Sequence, residues 1–217
     1  PDWKDVEGSK RISQQSALGA ITSLTQALVE LITNVDDAYE RLNKPNKKYS
    51  GGCVIFYDRG GETRYTTIKV SDRAAGMDSE KLHTVLKKHG DKIKSEGASR
   101  GFFARGLLDV SSIGDVYIQT VKDKKITTGQ IKYQTFQYKL IDKDIPTNKL
   151  NQTLAKTVEG FDYHKTKKVR NGTEIILRIP PKGSINIPQV KSLVDRLKKQ
   201  YQLRNILSDD KNKEFKN

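Results

Sequence analysis

Between Ser13 and Leu42 the chain contains no proline, and its apolar residues recur at spacings of three and four. This is the period of one buried face of an α-helix. The turn-forming run Asn43-Lys44-Pro45-Asn46 follows directly. The sequence therefore predicts a long amphipathic helix that ends near Leu42, and its apolar stripe consists of Leu24, Leu28, Leu31, Val35, Ala38 and Leu42.

Shorter patterns after this helix predict an α+β fold. Two strand-like runs, Cys53 to Tyr57 and Tyr65 to Ser71, flank the turn signal Asp58-Arg59-Gly60-Gly61 and predict an antiparallel hairpin. Further helices and strands follow from periods of 3.6 and 2 residues. The predicted helices are Asp78 to Lys88, Gly101 to Ser112 and Gln189 to Leu207, and the predicted strands are Val116 to Val121, Ile126 to Leu140 and Thr173 to Ile179.

Two stretches show no periodicity. Residues from His89 to Gly101 are polar, basic and punctuated by glycine, so we expect a loop that moves as a lid. Residues from Ile141 to Arg170 are interpreted as a polar connection. We interpret residues 1–208 as one domain, and the polar residues 209–217 as a tail or a linker to a C-terminal region.

Composition excludes several classes of protein. The 217 residues contain no apolar run of the ~18 residues that span a membrane, and the first residues are too polar for a signal peptide. Cys53 is the single cysteine, which fits a reducing compartment, the cytoplasm or the nucleus. The net charge of +14 attracts polyanions, so nucleotides, nucleic acid and acidic protein surfaces are candidate partners. A lysine-rich solvated surface is the alternative.

A polar ridge lies beside the leucine stripe of the first helix. At about 100 degrees per residue, Glu30, Asn34, Asp37 and Arg41 stack along one line. A carboxylate beside a carboxamide suits a magnesium-phosphate site, because hard cations take oxygen ligands. An ordinary solvated flank is the alternative interpretation.

The segment Glu30-Leu31-Ile32-Thr33-Asn34-Val35-Asp36-Asp37-Ala38 resembles the first nucleotide-binding motif of the GHKL superfamily. That superfamily comprises gyrase-type topoisomerases, ninety-kilodalton heat-shock chaperones, histidine kinases, MutL mismatch-repair proteins and the related MORC proteins. The resemblance implies that Glu30 is the catalytic base, that Asn34 binds magnesium, and that Asp37 contributes to nucleotide binding.

A second motif, Ser71-Asp72-Arg73-Ala74-Ala75-Gly76-Met77, is similar to the Asp-x-Gly-x-Gly box of the same superfamily. The resemblance implies that Asp72 accepts a hydrogen bond from the adenine amino group, and that Gly76 and Met77 line the nucleotide site. Ala74 stands where the family usually has its first glycine, so the backbone turn must be one that alanine adopts.

Two further motifs follow in the family order. The segment Gly97 to Gly106 resembles the lid and the Gly-x-x-Gly-x-Gly phosphate loop, with Ala104 at the middle glycine. In Asn171-Gly172-Thr173-Glu174-Ile175, the threonine matches the one that supports the adenine-binding aspartate. The implied phosphate-loop residues are Gly101, Phe102, Phe103, Ala104, Arg105 and Gly106, and Thr173 completes the base pocket.

Together the motifs imply a Bergerat fold, a two-layer α/β sandwich whose mixed, mainly antiparallel sheet carries helices on one face. The implied ligands are ATP or ADP with Mg²⁺. The implied function is an ATP-binding and ATP-hydrolysing domain that uses the nucleotide as a conformational switch in a larger protein. A non-hydrolysing ATP or ADP sensor and a protein kinase are the alternatives. Expected partners include a second copy, through the lid or a C-terminal region, and nucleic acid.

Overall fold

The computed structural model describes residues 2–5, 21–43, 51–87, 103–135, 137–152, 170–183 and 185–203. The helices in these ranges are α1 (Leu24–Glu40), α2 (Ser79–Lys87), α3 (Phe103–Val110) and α4 (Val190–Lys198). The strands are β1 (Lys4–Asp5), β2 (Val54–Asp58), β3 (Thr66–Ser71), β4 (Asp115–Lys122), β5 (Lys125–Ile131), β6 (Gln137–Pro146) and β7 (Gly172–Ile179). Short 3-10 helices occupy Thr147–Gln152 and Tyr201–Leu203.

The strands form one sheet in the order β1-β6-β5-β4-β7-β3-β2. Every pairing between the described strands is antiparallel, so the mixed sheet that the resemblance implies is not found in this part of the chain. Strand β7 comes last in the sequence but lies inside the sheet, between β4 and β3. Among the described strands, β7 alone joins the hairpin of β2 and β3 to the rest of the sheet.

One face of the sheet carries the hydrophobic core. In β3 the side chains of Thr66, Ile68 and Val70 are buried, and the alternate side chains are half-buried. This is the period of two that a strand with one covered face requires. The same core includes apolar side chains of all four helices, among them Leu28, Leu31, Leu82, Leu86, Leu107, Leu108, Leu193 and Leu197. The protein is therefore an α+β structure in which helices pack on the sheet.

Helix α1 begins eleven residues later than the apolar pattern predicts. Ser23 has an extended backbone, and its hydroxyl accepts a hydrogen bond from the Gln26 amide at 3.3 Å. The Gln26 side chain in turn accepts one from the Thr22 amide at 2.8 Å. These reciprocal bonds satisfy main-chain donors at the helix start and fix it at residue 24. A continuous helix from Ser13 is thus wrong, although residues 13–20 lie outside the described ranges.

The prediction of a polar connection from Ile141 is also wrong at its start, because β6 continues to Pro146. Its polar side chains are bonded across the sheet. The Thr128 hydroxyl donates to the buried Asp142 carboxylate at 2.8 Å, and the Thr127 hydroxyl donates to Asp144 at 3.2 Å. Carboxylates with such hydrogen-bond partners can lie within a sheet, so a segment whose polar composition predicts a loop forms a strand.

The last predicted helix, Gln189 to Leu207, is shorter in the structure. Helix α4 ends at Lys198, with Lys199 as its C-cap, and a 3-10 turn follows. Residues 204–207 lie outside the described ranges. Within those ranges, no helix combines the length and the apolar character needed to cross a bilayer.

Candidate functional site

The polar ridge of α1 meets helix α3 at Gly106. A Cβ atom added to Gly106 would lie 2.9 Å from Oε2 of Glu30 and 3.5 Å from Nδ2 of Asn34. The missing side chain thus lets the α3 backbone approach the ends of both ridge side chains. Three predicted site residues, from motifs about seventy positions apart, therefore come together here.

Asn34 is the most informative residue of this cluster. It is 6% exposed, and its Nδ2 has no hydrogen-bond partner among the described residues. A buried polar atom left without a partner costs about 1–3 kcal/mol, so such an atom needs an explanation. A ligand that brings oxygen atoms to this point would supply the missing partner. Asp37, one turn further along α1, is 2% exposed.

The remaining phosphate-loop predictions fall at or before the start of α3. Phe103, Ala104 and Arg105 form its first turn. The unpaired amides of a helix N-terminus and the positive end of its dipole attract anions. Gly101, Phe102 and the predicted lid from His89 to Arg100 lie outside the described residues.

The second part of the candidate site is a turn that follows β3. Oδ1 of Asp72 accepts hydrogen bonds from the Ala74 amide at 2.8 Å and from the Thr173 amide at 3.2 Å. The Asp72 amide donates to the Thr173 carbonyl at 2.9 Å. Two motifs 101 residues apart are thus joined. Because both amides bind the same oxygen, Oδ2 keeps its acceptor capacity for another donor.

Burial raises the pKa of the Asp72 carboxyl above its ordinary value, and the two amide hydrogen bonds from Ala74 and Thr173 oppose this shift. Desolvation disfavours the charged form of a carboxyl group, whereas donors that bind the carboxylate favour it. The result is a partly desolvated acceptor, whose hydrogen bond to a ligand is less weakened by competing water.

Two glycines shape this turn. Gly76 has φ +67, and a Cβ there would lie 1.9 Å from the Val121 carbonyl oxygen. Gly172 has φ +149, and a Cβ there would lie 2.3 Å from the Asp72 carbonyl oxygen. Neither position accepts a side chain without movement of backbone. Ala74 is not among the residues with positive φ, so its backbone conformation is one that alanine adopts without strain.

Thr120 of β4 is a site residue that the sequence patterns missed. Its hydroxyl accepts a hydrogen bond from the Met77 amide at 2.7 Å and lies 3.2 Å from the Thr173 hydroxyl. Thr120 is fully buried, so these contacts fix Met77 and Thr173 relative to each other. In the sequence Thr120 is a threonine among the apolar residues of β4, and this pattern does not predict which groups its hydroxyl binds.

Tyr39, near the end of α1, is the second residue that was missed. Its hydroxyl accepts a hydrogen bond from the Arg73 amide at 2.9 Å and donates one to the Gly52 carbonyl at 3.2 Å. Helix α1 therefore contacts both parts of the site: Glu30 and Asn34 face Gly106, and Tyr39 binds the Asp72 turn. From residue 30 to residue 39 the helix rises about 14 Å.

The described residues contain no group of three or more histidine, cysteine, aspartate and glutamate side chains that could hold a metal ion. The few oxygen donors near Asn34 fit a magnesium ion that is bound together with a nucleotide, because phosphate and water oxygens then provide most of its ligands. A cavity of about 290 Å³ lies elsewhere, between the start of α2 and strands β1 and β6. It is lined by Asp2, Lys4, Ser79, Glu80, His83, Tyr138, Leu140 and Lys143.

Comparison with protein-family models gives no match, and neither does comparison with curated proteins. Among solved structures, the chain is similar to the N-terminal domain of a DNA repair protein, at 17% sequence identity and a TM-score of 0.47. The similarity covers 76% of this chain and 38% of that one.

Proposed function

We propose that this chain is a GHKL-type ATP-binding domain with a Bergerat fold, which hydrolyses ATP and uses the nucleotide as a conformational switch in a larger protein. The observation that carries the proposal is the Asp72 turn. One carboxylate oxygen is held by two main-chain amides, and the second is left to accept a hydrogen bond. Adenine presents a donor, its 6-amino group, to such an acceptor. A 6-oxopurine presents a carbonyl, which an acceptor repels.

The contacts of α1 with α3 support a phosphate-binding role for the other part of the site. The buried Nδ2 of Asn34 lacks a partner among the described residues, and the first turn of α3 starts three residues before Gly106. Magnesium, when bound with ATP, offsets negative charge on the phosphate oxygens. Asn34 would bind that metal through its carboxamide oxygen, and the amides at the α3 N-terminus would bind phosphate oxygens.

Glu30 is the residue suited to activate water. It lies one helical turn before Asn34, and its carboxylate end reaches the face of α3 at Gly106. In the proposed step, the Glu30 carboxylate accepts a proton from water while the water oxygen bonds to the terminal phosphorus. The bond from that phosphorus to the bridging oxygen breaks, and ADP leaves with the electron pair. General-base catalysis of this kind contributes about 10²–10⁴-fold, or about 3–5 kcal/mol.

The binding part of the proposal is tested by calorimetry with ADP and with inosine diphosphate, which carries a 6-oxo group. The parent is expected to bind ADP one to one and more tightly than inosine diphosphate. Asp72→Asn replaces the free acceptor with a donor, so ADP affinity should fall about 10- to 100-fold, as for loss of a hydrogen bond to a charged group. Inosine diphosphate should then be the better ligand.

Asp115→Asn is the matched control for this substitution. Asp115 also accepts a main-chain amide hydrogen bond, from Tyr133 at 3.0 Å, but it lies at the start of β4 and outside the candidate site. It should leave the preference for ADP unchanged. A parent that binds neither nucleotide, or an Asp72→Asn variant that keeps the parental preference, would refute the proposed site.

Hydrolysis is tested separately by phosphate release from ATP. Glu30→Ala should abolish turnover and keep ATP affinity within a few fold, because Glu30 is assigned to water activation and not to binding. Glu40→Ala, an exposed glutamate at the end of the same helix, is the control and should keep the parental rate. Binding without turnover in the parent would favour a nucleotide sensor, and label transfer to a protein would favour a kinase.

Association with a second copy, binding to nucleic acid and a cytoplasmic or nuclear location stay predictions of the sequence. Each of them depends on surfaces other than the Asp72 turn. The nucleotide experiments above therefore stand without them.

A further inference from the structure

The Tyr39 hydroxyl joins three segments that are distant in sequence. Tyr39 lies on α1 and is 9% exposed. Its oxygen accepts from the Arg73 amide and its proton goes to the Gly52 carbonyl, at 2.9 and 3.2 Å. A phenol has one proton to donate, so these two bonds assign its donor and acceptor roles fully.

The Tyr39 ring is held in place by the chain segment before β2. A Cβ atom added to Gly51 would lie 2.0 Å from Cζ, 2.1 Å from Cε1 and 2.3 Å from the hydroxyl oxygen of Tyr39. The Gly51 backbone therefore lies directly against the ring, and the ring cannot turn toward it. The hydroxyl is thus a fixed point to which the Arg73 amide is bonded.

Arg73 is the middle residue of the Asp72 turn. Its neighbours on either side are Asp72, which carries the free acceptor, and Ala74, whose amide binds the other oxygen of the same carboxylate. The Arg73 amide belongs to the peptide bond between Asp72 and Arg73, so its hydrogen bond to Tyr39 holds that peptide in place. The direction in which the carboxylate points therefore depends on Tyr39 as well as on the Ala74 and Thr173 amides.

We propose that Tyr39 is a positioning residue, which orients the Asp72 carboxylate and thereby sets the preference for a 6-aminopurine over a 6-oxopurine. This inference rests on the proposed function, because it concerns the same base-reading turn. Tyr39 itself contacts the turn and not the reacting atoms.

The electrostatic surroundings of Tyr39 agree with this role. Burial raises the pKa of the Tyr39 hydroxyl, the hydrogen bond from the Arg73 amide opposes this shift, and the negative charge of Asp72 adds to it. The hydroxyl keeps its proton at neutral pH and can always donate to Gly52.

The test is Tyr39→Phe, which removes the hydroxyl and keeps the ring. Tyr57→Phe is the matched control, since the Tyr57 hydroxyl also donates to a main-chain carbonyl, that of Pro188, at 2.6 Å and away from the Asp72 turn. Dissociation constants for ADP and inosine diphosphate are measured by calorimetry. We expect Tyr39→Phe to weaken ADP binding about 3- to 10-fold, the loss typical of one hydrogen bond, and to leave inosine diphosphate within about twofold.

The ratio of the two affinities separates positioning from general support of the fold. A Tyr39→Phe variant that keeps the parental ratio, or that no longer folds, overturns the positioning role, as does an equal change of the ratio in Tyr57→Phe. A parent that does not bind ADP refutes the proposed function itself and the inference with it. That outcome is distinct, because it is seen before any variant is made.

Discussion

Replacement of Gly106 by alanine is expected to raise the stability of this protein and to lower its rate of ATP hydrolysis. Gly106 is the fourth residue of α3 (Phe103–Val110) and so lies inside the helix. Alanine is favoured over glycine at an interior helix position by about 0.5–1 kcal/mol. For a chain of this size, that gain raises the melting temperature by about 1–4 °C.

The added methyl group acts on Glu30. Its carbon would lie 2.9 Å from Oε2 of Glu30, which is closer than a Cβ atom and a non-bonded oxygen approach in proteins. The carboxylate is the end of a flexible side chain, so it moves by roughly 0.5–1 Å and the helix stays. Misplacement of a catalytic group by about 1 Å can cost about 10²-fold in rate, so we expect turnover to fall about 10- to 100-fold.

Three measurements on Gly106→Ala test this reasoning: phosphate release at saturating ATP with magnesium, ADP affinity by calorimetry, and the melting temperature. We expect a slower rate, ADP affinity within a few fold and a melting temperature at or above that of the parent. Gly52→Ala is the control, because a Cβ there meets nothing within 4 Å. Full turnover in Gly106→Ala, combined with its loss in Glu30→Ala, would show that the close approach of Gly106 has no part in placing the base.

Three further outcomes follow from the site. Asn34→Ala should weaken ADP binding more in magnesium than in a chelator, because it removes the metal contact as well as the Nδ2 donor; an equal loss in calorimetry under both conditions would exclude a metal ligand. Since the pKa of Asp72 is raised, folding favours its protonated form, and its contribution to stability is lost as pH rises through the folded pKa. Asp72→Asn should therefore raise the urea midpoint of the ligand-free protein at pH 7, and parental ADP affinity should decline on acidification at a pH above the ordinary aspartate value of 3.8. Gly76→Ala should lower stability by about 1–3 kcal/mol or more in urea unfolding, because its methyl group would meet the Val121 carbonyl in a backbone conformation unsuited to alanine.

Local patterns predicted the helices and strands where burial alone decides the structure. The alternation in β3 and the leucine stripe of α1 are both found. The patterns missed the turn that divides the predicted strand Ile126 to Leu140 into β5 and β6, and they placed the end of α4 too late. They also failed at the start of α1 and at the end of β6. There the deciding contacts are side-chain hydrogen bonds, from Gln26 to Ser23 and from Thr128 to Asp142, which an apolar period does not register.

In the candidate site, too, the sequence predicted some residues and missed others. The motif order identified Asp72 and Thr173, and the structure joins them by two hydrogen bonds. Tyr39 and Thr120 carry no motif, because their hydroxyl groups bind main-chain amides that the topology alone brings near. The identity of a side chain does not predict such a partner. For Thr120 the partner depends on the pairing of β4 with β7, and for Tyr39 it depends on the packing of α1 against the segments before β2 and after β3.

The position of β7 has a consequence for how this protein acquires its structure during synthesis. Until residues 172–179 have been made, the hairpin of β2 and β3 and the group of β4, β5 and β6 share no neighbouring strand among those that the structure describes. Pairings that join residues about a hundred positions apart are slow to form, since a long loop must close before any contact is gained. The Asp72 turn, which takes Thr173 from that same strand, is thus completed late, and a growing chain has no such turn before its fold is nearly whole.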